Sequence, residues 1–391
     1  MKFDAQQAYH HIDQLAYPRA VGSTGESRAR DYIAAQFEKL GLNVEQERFD
    51  FTLFPAEVLS RLICATYTIG VIAVCWMTPR QPLYASVLCA GMLLIALSLT
   101  RWQKKLEWLY SVGKTHISKN IVAKSVPPTE VTSDFIFVAH YDSKSQVLPI
   151  ALRALCYCIA VGGLIALTPL ILIQPVLKVQ VSPFLIWAIA VSICSCLLLL
   201  QFNFTQNRSP GAFDNASGVG VLLELARSLT ENPSSNTARV TFLSPGAEEY
   251  GMCGALRYIQ QHAADYNTNR TYVVNLDGVG AVGKLTLITT YGIPPVVTSK
   301  TLGPAIVASG KQIGVEVSEV YSPAGIGSDQ LPIASRGFET VTLSSGGFGK
   351  AAFKIHSKRD GIDLIHQDAL QRVGDVLVRF VKNADSFALV D

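Results

Sequence analysis

Polar and apolar positions follow two different rules along this chain. Outside two segments, the spacing is amphipathic. Tyr9 to Ala16 reads as a helix. Glu26 to Leu40 places Ala29, Tyr32, Ile33, Phe37 and Leu40 on one helical face, and Gly41 stops it. Val44–Phe51, Asn120–Ala123 and Phe135–Ala139 read as strands. Gly218–Leu229 reads as a helix opening at a Ser/Gly cap. Arg239–Leu243, Tyr272–Leu276, Leu285–Thr289 and Glu339–Leu343 are further strands, and Gln367–Asp385 is a closing helix. This alternation predicts an α/β domain: a mixed, mostly parallel sheet flanked by helices.

The two remaining segments are almost uncharged. Leu62–Met77 and Leu83–Leu99 are joined by the turn Thr78–Pro82. Pro149–Gln174 and Pro183–Phe202 are joined by Pro175–Ser182. Each run approaches the roughly 20 apolar residues that span a bilayer. The first is the shortest and needs Ala56–Arg61 to reach across. We read them as two transmembrane hairpins, residues 56–100 and 148–203, set into one domain made of 1–55, 115–146 and 205–391. Four crossings return the chain to its starting side. Arg101, Lys104, Lys105, Lys144 and Arg208 flank the runs on that side, against Arg80 and Lys178 in the turns. The bias predicts a cytoplasmic catalytic domain. Met1–Ala16 is polar and carries no signal peptide.

Composition fits this picture. The 391 residues are 49% hydrophobic and 16% charged, with a net charge of +3. That charge is too small to indicate a nucleic-acid partner. Seven of the eight cysteines lie in the apolar runs and only Cys253 lies elsewhere, so neither a disulfide framework nor a Cys-x-x-Cys zinc site is indicated.

The candidate chemistry sits at strand ends and turns. In order it is His140-Tyr141-Asp142, Asp214-Asn215-Ala216-Ser217-Gly218, Glu248-Glu249, Asp277-Gly278 and His356. Histidine and carboxylate ligands without cysteine suit zinc or a similar divalent ion. A His-x-Asp at a strand end projects both side chains to one face, so His140 can bind a metal while Asp142 orients its ring. Of the adjacent Glu248 and Glu249, one can coordinate and the other act as base. Singly, a strand-terminal Asp is more often a cap and a Glu-Glu pair a solvated turn. Five such groups in order argue for a metal site. His10, His11, His116, His262 and His366 have no carboxylate at ligand spacing and read as surface or capping residues.

The stretches AYPRAVGSTGESRARDYIAAQFEKLGLNVE, VAHYDSKS, GAFDNASGVGVLLELAR, SPGAEEYGMCGA, NLDGVG, GSDQLPIASRGFETVTLSS and KIHSKRDGID resemble the clan MH dizinc exopeptidases. That group includes leucyl-type aminopeptidases, glutamate carboxypeptidases and glutaminyl cyclases. The resemblance implies two zinc ions, one held by His140 and Asp277, the other by Glu249 and His356, with Asp214 bridging. It implies Glu248 as general base, Asp142 as the group that orients His140, and a cis peptide bond after Asp214. Asp360 is implied to support the last histidine or its surroundings. The implied activity is hydrolysis of N-terminal residues from short peptides. Two departures stand out. Gln330 replaces the histidine of a Ser-Asp-His motif, which disfavours cyclisation, although His140–Lys144 is cyclase-like. Ile355 stands where some aminopeptidases carry a tyrosine, leaving Tyr250, Tyr291 and Tyr321 as candidate donors to the tetrahedral intermediate.

In the related fold the first two strands form an antiparallel hairpin and the third runs antiparallel to the second. Both membrane hairpins then leave from the sheet edge that carries the ligands. The expectation is a catalytic mouth facing the bilayer and acting on peptides at its surface. The alternatives are a glutaminyl-cyclase-like zinc acyltransferase and a non-catalytic receptor on a peptidase scaffold.

Overall fold

The computed structural model describes residues 2–98, 102, 104–125, 131–231, 238–323, 327–346 and 349–383. The chain divides into two compact units: Met1–Thr52, Lys114–Ser145 and Gln206–Asp391 form one, and Leu53–Gly113 with Gln146–Thr205 form the other.

The larger unit opens with helices α1 (Ala5–Leu15) and α2 (Thr24–Lys39). Asp4 caps α1 by accepting the Gln6 and Gln7 amides, and Ser23 caps α2 through the Glu26 amide. Its strands are β1 (Asn43–Thr52), β2 (Thr115–Lys124), β3 (Ser133–Val138), β6 (Ala238–Ser244), β7 (Thr271–Leu276), β8 (Leu285–Tyr291), β9 (Val296–Val297), β10 (Val317–Ser322) and β11 (Glu339–Ser345). Two short strands, β4 (Ser145–Gln146) and β5 (Thr205–Gln206), pair with each other where the chain passes between the units. The main sheet has the order β1-β2-β6-β3-β7-β11-β8-β10, with β9 on β8. β3, β6, β7 and β11 run parallel, so their carboxyl ends share one edge. β2 runs antiparallel to both β1 and β6. Strand direction is therefore as the resemblance implies, with β6 inserted between β2 and β3.

Both sheet faces are covered. One carries the main core, where α1, α2, α7 (Ser217–Glu231), α9 (Leu302–Gln312) and α11 (Gln367–Lys382) pack against Phe135, Phe137, Phe242, Val274 and Leu276. The other is thinner, with Tyr258 and Ile259 of α8 (Cys253–His262) and Ile333 of α10 (Gln330–Ala334) packing on Ile136, Val138 and Val273. β3 alternates between the two, so His140 continues the face of Ile136 and Val138. The segments α8, α9, α10 and β10 had no sequence-based expectation. Gly303, Pro304 and Gly310 interrupt the helical pattern of α9. The last expected residues of α11, Ala384 and Asp385, lie outside the described residues.

The smaller unit is a bundle of α3 (Ser60–Met77), α4 (Pro82–Ser98), α5 (Ile150–Leu177) and α6 (Pro183–Gln201). α3 is extended backwards by a π-helical turn, Phe54–Leu59, giving a continuous 24-residue rod. The expected lengthening before Leu62 is thus provided. Phe54–Met77, Ile150–Leu177 and Pro183–Gln201 are long and apolar enough to cross a membrane. α4 has 17 residues, about 26 Å at 1.5 Å per residue, which is short of a roughly 30 Å hydrocarbon layer. The residues that follow it, 99–101, lie outside the described residues. α5 runs through Pro169 and Pro175 and ends two residues later, at Leu177. A bilayer-length helix tolerates the missing N–H groups when its neighbours cover the freed carbonyls.

Two of the histidines read as surface or capping residues have defined side-chain partners. His262 bonds Glu47 Oε1 and Asp265 Oδ2, each at 2.8 Å. His11 is half-buried, with Nδ1 2.8 Å from Tyr32 Oη. Burial, then the charges of His10 and Lys39, push the His11 imidazole down to about 4. The unfolded chain takes up this proton near its ordinary value of 6.5, and the folded chain refuses it until about 4. Stability is therefore present above pH 6.5 and declines as pH falls through that window. Thermal midpoints measured between neutral pH and pH 4 check this. The native protein should melt progressively lower on acidification, and His11→Gln should flatten part of that slope. Parallel slopes for the two proteins would contradict it.

Candidate metal centre

The five candidate ligands come from five separate segments, and the fold brings them to one edge of the sheet. His140 follows β3, Glu249 follows β6 and Asp277 follows β7 directly. Asp214 lies in a kinked turn, Ala212–Ala216, ahead of α7, where the backbone of Asp214 and Asn215 is non-helical. His356 lies in the loop after β11. His140 Nε2 is 3.3 Å from Asp214 Oδ1 and 4.0 Å from Asp277 Oδ1. His356 Nε2 is 3.2 Å from Asp214 Oδ2 and 3.0 Å from Glu249 Oε2. Two triads result, His140–Asp214–Asp277 and Asp214–Glu249–His356, sharing Asp214. Glu248 Oε2 approaches His140 Nε2 to 3.8 Å without belonging to either triad.

Two buried carboxylates hold the loops in place. Asp142 accepts the backbone amides of Glu248 (3.0 Å) and Glu249 (3.2 Å). Its expected role of orienting His140 falls mainly to its backbone: His140 Nδ1 is 3.2 Å from the Asp142 carbonyl and 3.6 Å from Oδ1. Asp360 accepts the amides of Phe213 (2.7 Å) and Asp214 (3.2 Å). It therefore supports the shared ligand rather than the last histidine. The Asp214–Asn215 peptide bond is cis. Asn215 ties this turn to β7 by donating to the Leu276 carbonyl at 2.8 Å. A Cβ on Gly218 would lie 2.4 Å from that same carbonyl oxygen, which explains the glycine of the motif. Ala247 and His356 adopt φ of 56° and 57°, each costing about 1–2 kcal/mol and held in place by the packed surroundings.

Three further groups have surroundings that the local sequence pattern does not predict. Lys144 Nζ lies 3.0 Å from Glu249 Oε2 and donates to the Glu249 carbonyl at 2.5 Å. Arg19 is fully buried, donating to the carbonyls of Leu15, Tyr17, Tyr141, Pro210 and Gly211. It clamps the His140–Asp142 turn to the turn before Asp214. Asp329 and Gln330 are fully buried, and no polar atom of either side chain has a hydrogen-bond partner. Arg19 and Lys144 carry no spacing signal, because their partners are backbone carbonyls or a side chain distant in sequence.

The charges are crowded. Burial pushes the Asp277 carboxyl up to about 7, against the pull of His140, with Asp214 and Glu249 adding to the rise. Burial also raises Glu248 well above the usual carboxylate range, against His140 and with Asp329 and Glu249 reinforcing it. Burial would raise Asp214 as well, but His140 and His356 together hold it low. Repelling carboxylates in a buried cluster are what a bound cation relieves. His140 Nε2 is buried without a hydrogen-bond partner and faces the carboxylates. The residues present therefore fit divalent metal, His140, Asp214 and Asp277 on one side and Asp214, Glu249 and His356 on the other.

The tyrosine candidates separate by topology. β8 runs antiparallel to β11, so Tyr291 at its end lies at the edge opposite the ligands. Tyr321, on the parallel neighbour β10, lies there too and donates to the Gly292 carbonyl. Tyr250, next to Glu249, is the candidate that remains on the ligand edge.

A sequence profile of peptidase family M28 matches residues 120–381, more than half of the 391-residue chain. The chain belongs to peptidase family M28. This M28 chain is 30% identical over 183 residues to Aminopeptidase YwaD of Bacillus subtilis (strain 168), covering 45% of itself and 38% of that protein. It is 29% identical over 177 residues to Endoplasmic reticulum metallopeptidase 1 of Mus musculus, covering 45% and 19%. It thus spans well under half the length of either relative. Among solved structures, it resembles the aminopeptidase from Aneurinibacillus sp. strain AM-1, with a TM-score of 0.58, 18% identity, and coverage of 98% and 94%. The Porphyromonas gingivalis glutaminyl cyclase gives a TM-score of 0.55, 17% identity, and coverage of 97% and 98%. At these identities the two structures share the fold.

Replacing Asp360 by Asn puts an amide NH₂ against one of two backbone donors. Asp360→Asn should therefore loosen the shared ligand and lower zinc affinity by about 10–100-fold, the usual effect of losing a group that holds a ligand. Chelator competition on the purified protein reads this directly, and unchanged affinity would count against the assigned support.

Proposed function

We propose that this M28 chain is a membrane-integral dizinc exopeptidase, most specifically an aminopeptidase acting on short peptides. The observation that carries the reading is the pair of ligand triads sharing Asp214, with Glu248 beside them and in neither. Two zinc ions, when bound, acidify water and polarise a carbonyl. Glu248 accepts a proton from the attacking water and returns it to the departing amine, so one peptide bond and one water become a carboxylate and an amine. Its place beside both triads and in neither suits a group that must take up and release a proton. Asp142 fixes the backbone that carries Glu248. Lys144 and Arg19 lock the surrounding turns, so the base and ligands reorganise little during turnover. The name of the Bacillus relative supports aminopeptidase over carboxypeptidase action.

The membrane reading rests on the apolar bundle. We take all four helices as spans, with the peptidase unit on the cytoplasmic side. Thr52 and Ser145, where the chain leaves the peptidase unit, both lie toward the ligand edge of the sheet. The β1–β2 ladder continues six residue pairs past the Gln46–Ile121 pair, which is level with the end of β6, about 20 Å at strand rise. Peptides at the bilayer surface are therefore the proposed substrates.

Purified protein tested with a panel of aminoacyl reporters, alongside metal analysis, examines the reading. Two zinc ions per chain and release of N-terminal residues are expected. Glu248→Gln should lower the hydrolysis rate by about 10²–10⁴ with zinc retained. Undiminished hydrolysis in the variant would remove Glu248 as base. Cyclisation of N-terminal glutamine with no hydrolysis would instead favour the cyclase reading that His140–Lys144 keeps open.

A further inference from the structure

All four tryptophans of the chain belong to the helical unit, and they fall at its two ends. Trp76 is the next-to-last residue of α3 and Trp187 lies in the first turns of α6, both beside the hairpin turns. The Arg80 guanidinium sits 5.1 Å from the centre of the Trp76 ring. Trp102 and Trp108 follow α4 at the opposite end, and Lys105 Nζ lies 5.0 Å from the centre of the Trp102 ring. Two more groups mark that end. Gln201, closing α6, donates to the Arg61 carbonyl at 3.0 Å, and the Arg61 guanidinium lies 4.7 Å from the Phe204 ring. Each end of the bundle thus carries aromatic rings paired with cations. The rod Phe54–Met77 has 24 residues, about 36 Å. That exceeds a roughly 30 Å hydrocarbon layer and brings both its ends to the headgroups.

The stretch after α4 is unusual. Lys104–Ser111 forms a 3₁₀ helix with no buried residue. Trp102 is 49% exposed and Trp108 is 62% exposed. Fully burying a large apolar side chain is worth about 1.5–3 kcal/mol, so two open indoles six residues apart are poorly placed in water. Leu106 and Leu109 share the segment with Lys104 and Lys105, and Glu107 offsets one of the two charges. Rings that are apolar in body and polar at one edge, beside lysines, match the layer where acyl chains meet headgroups. The segment packs beside the start of the α3 rod, Phe54–Leu59. It is thus continuous with the proposed spans.

We propose that Trp102 and Lys104–Ser111 form an interfacial anchor. Trp102 and Trp108 sit at the acyl–headgroup boundary of one leaflet, and Lys104 and Lys105 reach lipid phosphates. This rests on the membrane reading given above and adds to it a second mode of attachment, lying in the interface. Its consequence is positional. Only Val112, Gly113 and Lys114 separate the anchor from β2, at most about 11 Å of extended chain. The peptidase unit is thereby tethered close to the lipid surface at this junction.

Four single-tryptophan proteins, each with the other three tryptophans changed to Phe, test the proposal in lipid nanodiscs as full chains. The probe is phosphatidylcholine brominated at shallow or deep acyl positions. Loss of fluorescence from Trp102 and Trp108, greater with shallow than deep bromine, supports the anchor. Trp76 and Trp187 serve as the internal control for the spans. If those two are quenched while Trp102 and Trp108 are not, the anchor is overturned and the membrane reading stands. Fluorescence from Trp102 and Trp108 that is blue-shifted yet insensitive to bromine means a protein partner covers them, and also overturns it. If none of the four responds, the membrane reading fails and takes the anchor with it.

Discussion

Two buried carboxylates, each accepting two consecutive backbone amides, are the constraint on which the site depends. Asp142 holds the Glu248 and Glu249 amides, and Asp360 holds those of Phe213 and Asp214. In both cases the pinned backbone includes candidate site residues, Glu248 and Glu249 in one and Asp214 in the other. A charged acceptor taking two N–H groups makes strong, directional bonds. It fixes the peptide planes from which the side chains spring.

The same logic explains why so much charge is tolerated in one place. Arg19 is buried among carbonyls and directly bonded to no carboxylate. It neutralises the neighbourhood from behind the turns while donating to five backbone carbonyls. Lys144 touches a candidate ligand, Glu249, directly. Even so, Glu248, Asp277 and Asp329 are all pushed toward the protonated state, burial being the largest cause in each. The remaining imbalance is in the direction a divalent cation corrects.

Much of this was legible in the sequence, for physical reasons that differ between layers. Strong 3.6-residue periodicity and a glycine stop made α2 readable. Strand ends made His140, Glu249 and Asp277 readable, because the carboxyl edge of parallel strands is where open α/β sheets place their sites. What escaped was whatever depends on backbone partners. Nothing in the local pattern around Arg19 says that five carbonyls will converge on it. Asp360 was noticed, yet its target was misplaced, because a carboxylate four residues after His356 has many targets within reach. Tyr291 and Tyr321 looked equivalent to Tyr250 until strand direction put them at the opposite edge. α9 was lost because Gly303, Pro304 and Gly310 weaken every local signal of a helix whose stability comes from packing on Leu285, Val317 and α11.

The interruptions in the ligand set follow from the geometry of the insertion points. Thr52 and Thr115 are paired across the end of the β1–β2 ladder. Ser145–Gln146 pairs with Thr205–Gln206, extended by the Val147 amide donating to the Phe204 carbonyl at 3.1 Å. Each apolar hairpin therefore starts and ends at neighbouring backbone positions. The sheet sees two long loops whose ends are already closed. Lengthening such a loop costs little further entropy, about 0.6 kcal/mol per doubling, and less still when the insert is folded. That is why two nearly uncharged helices, α5 and α6, can separate His140 from Asp214 without displacing either: the β4–β5 pairing closes the insertion before the chain reaches the candidate metal-ligand turn, and Asp360 and Arg19 then fix that turn independently of what was inserted.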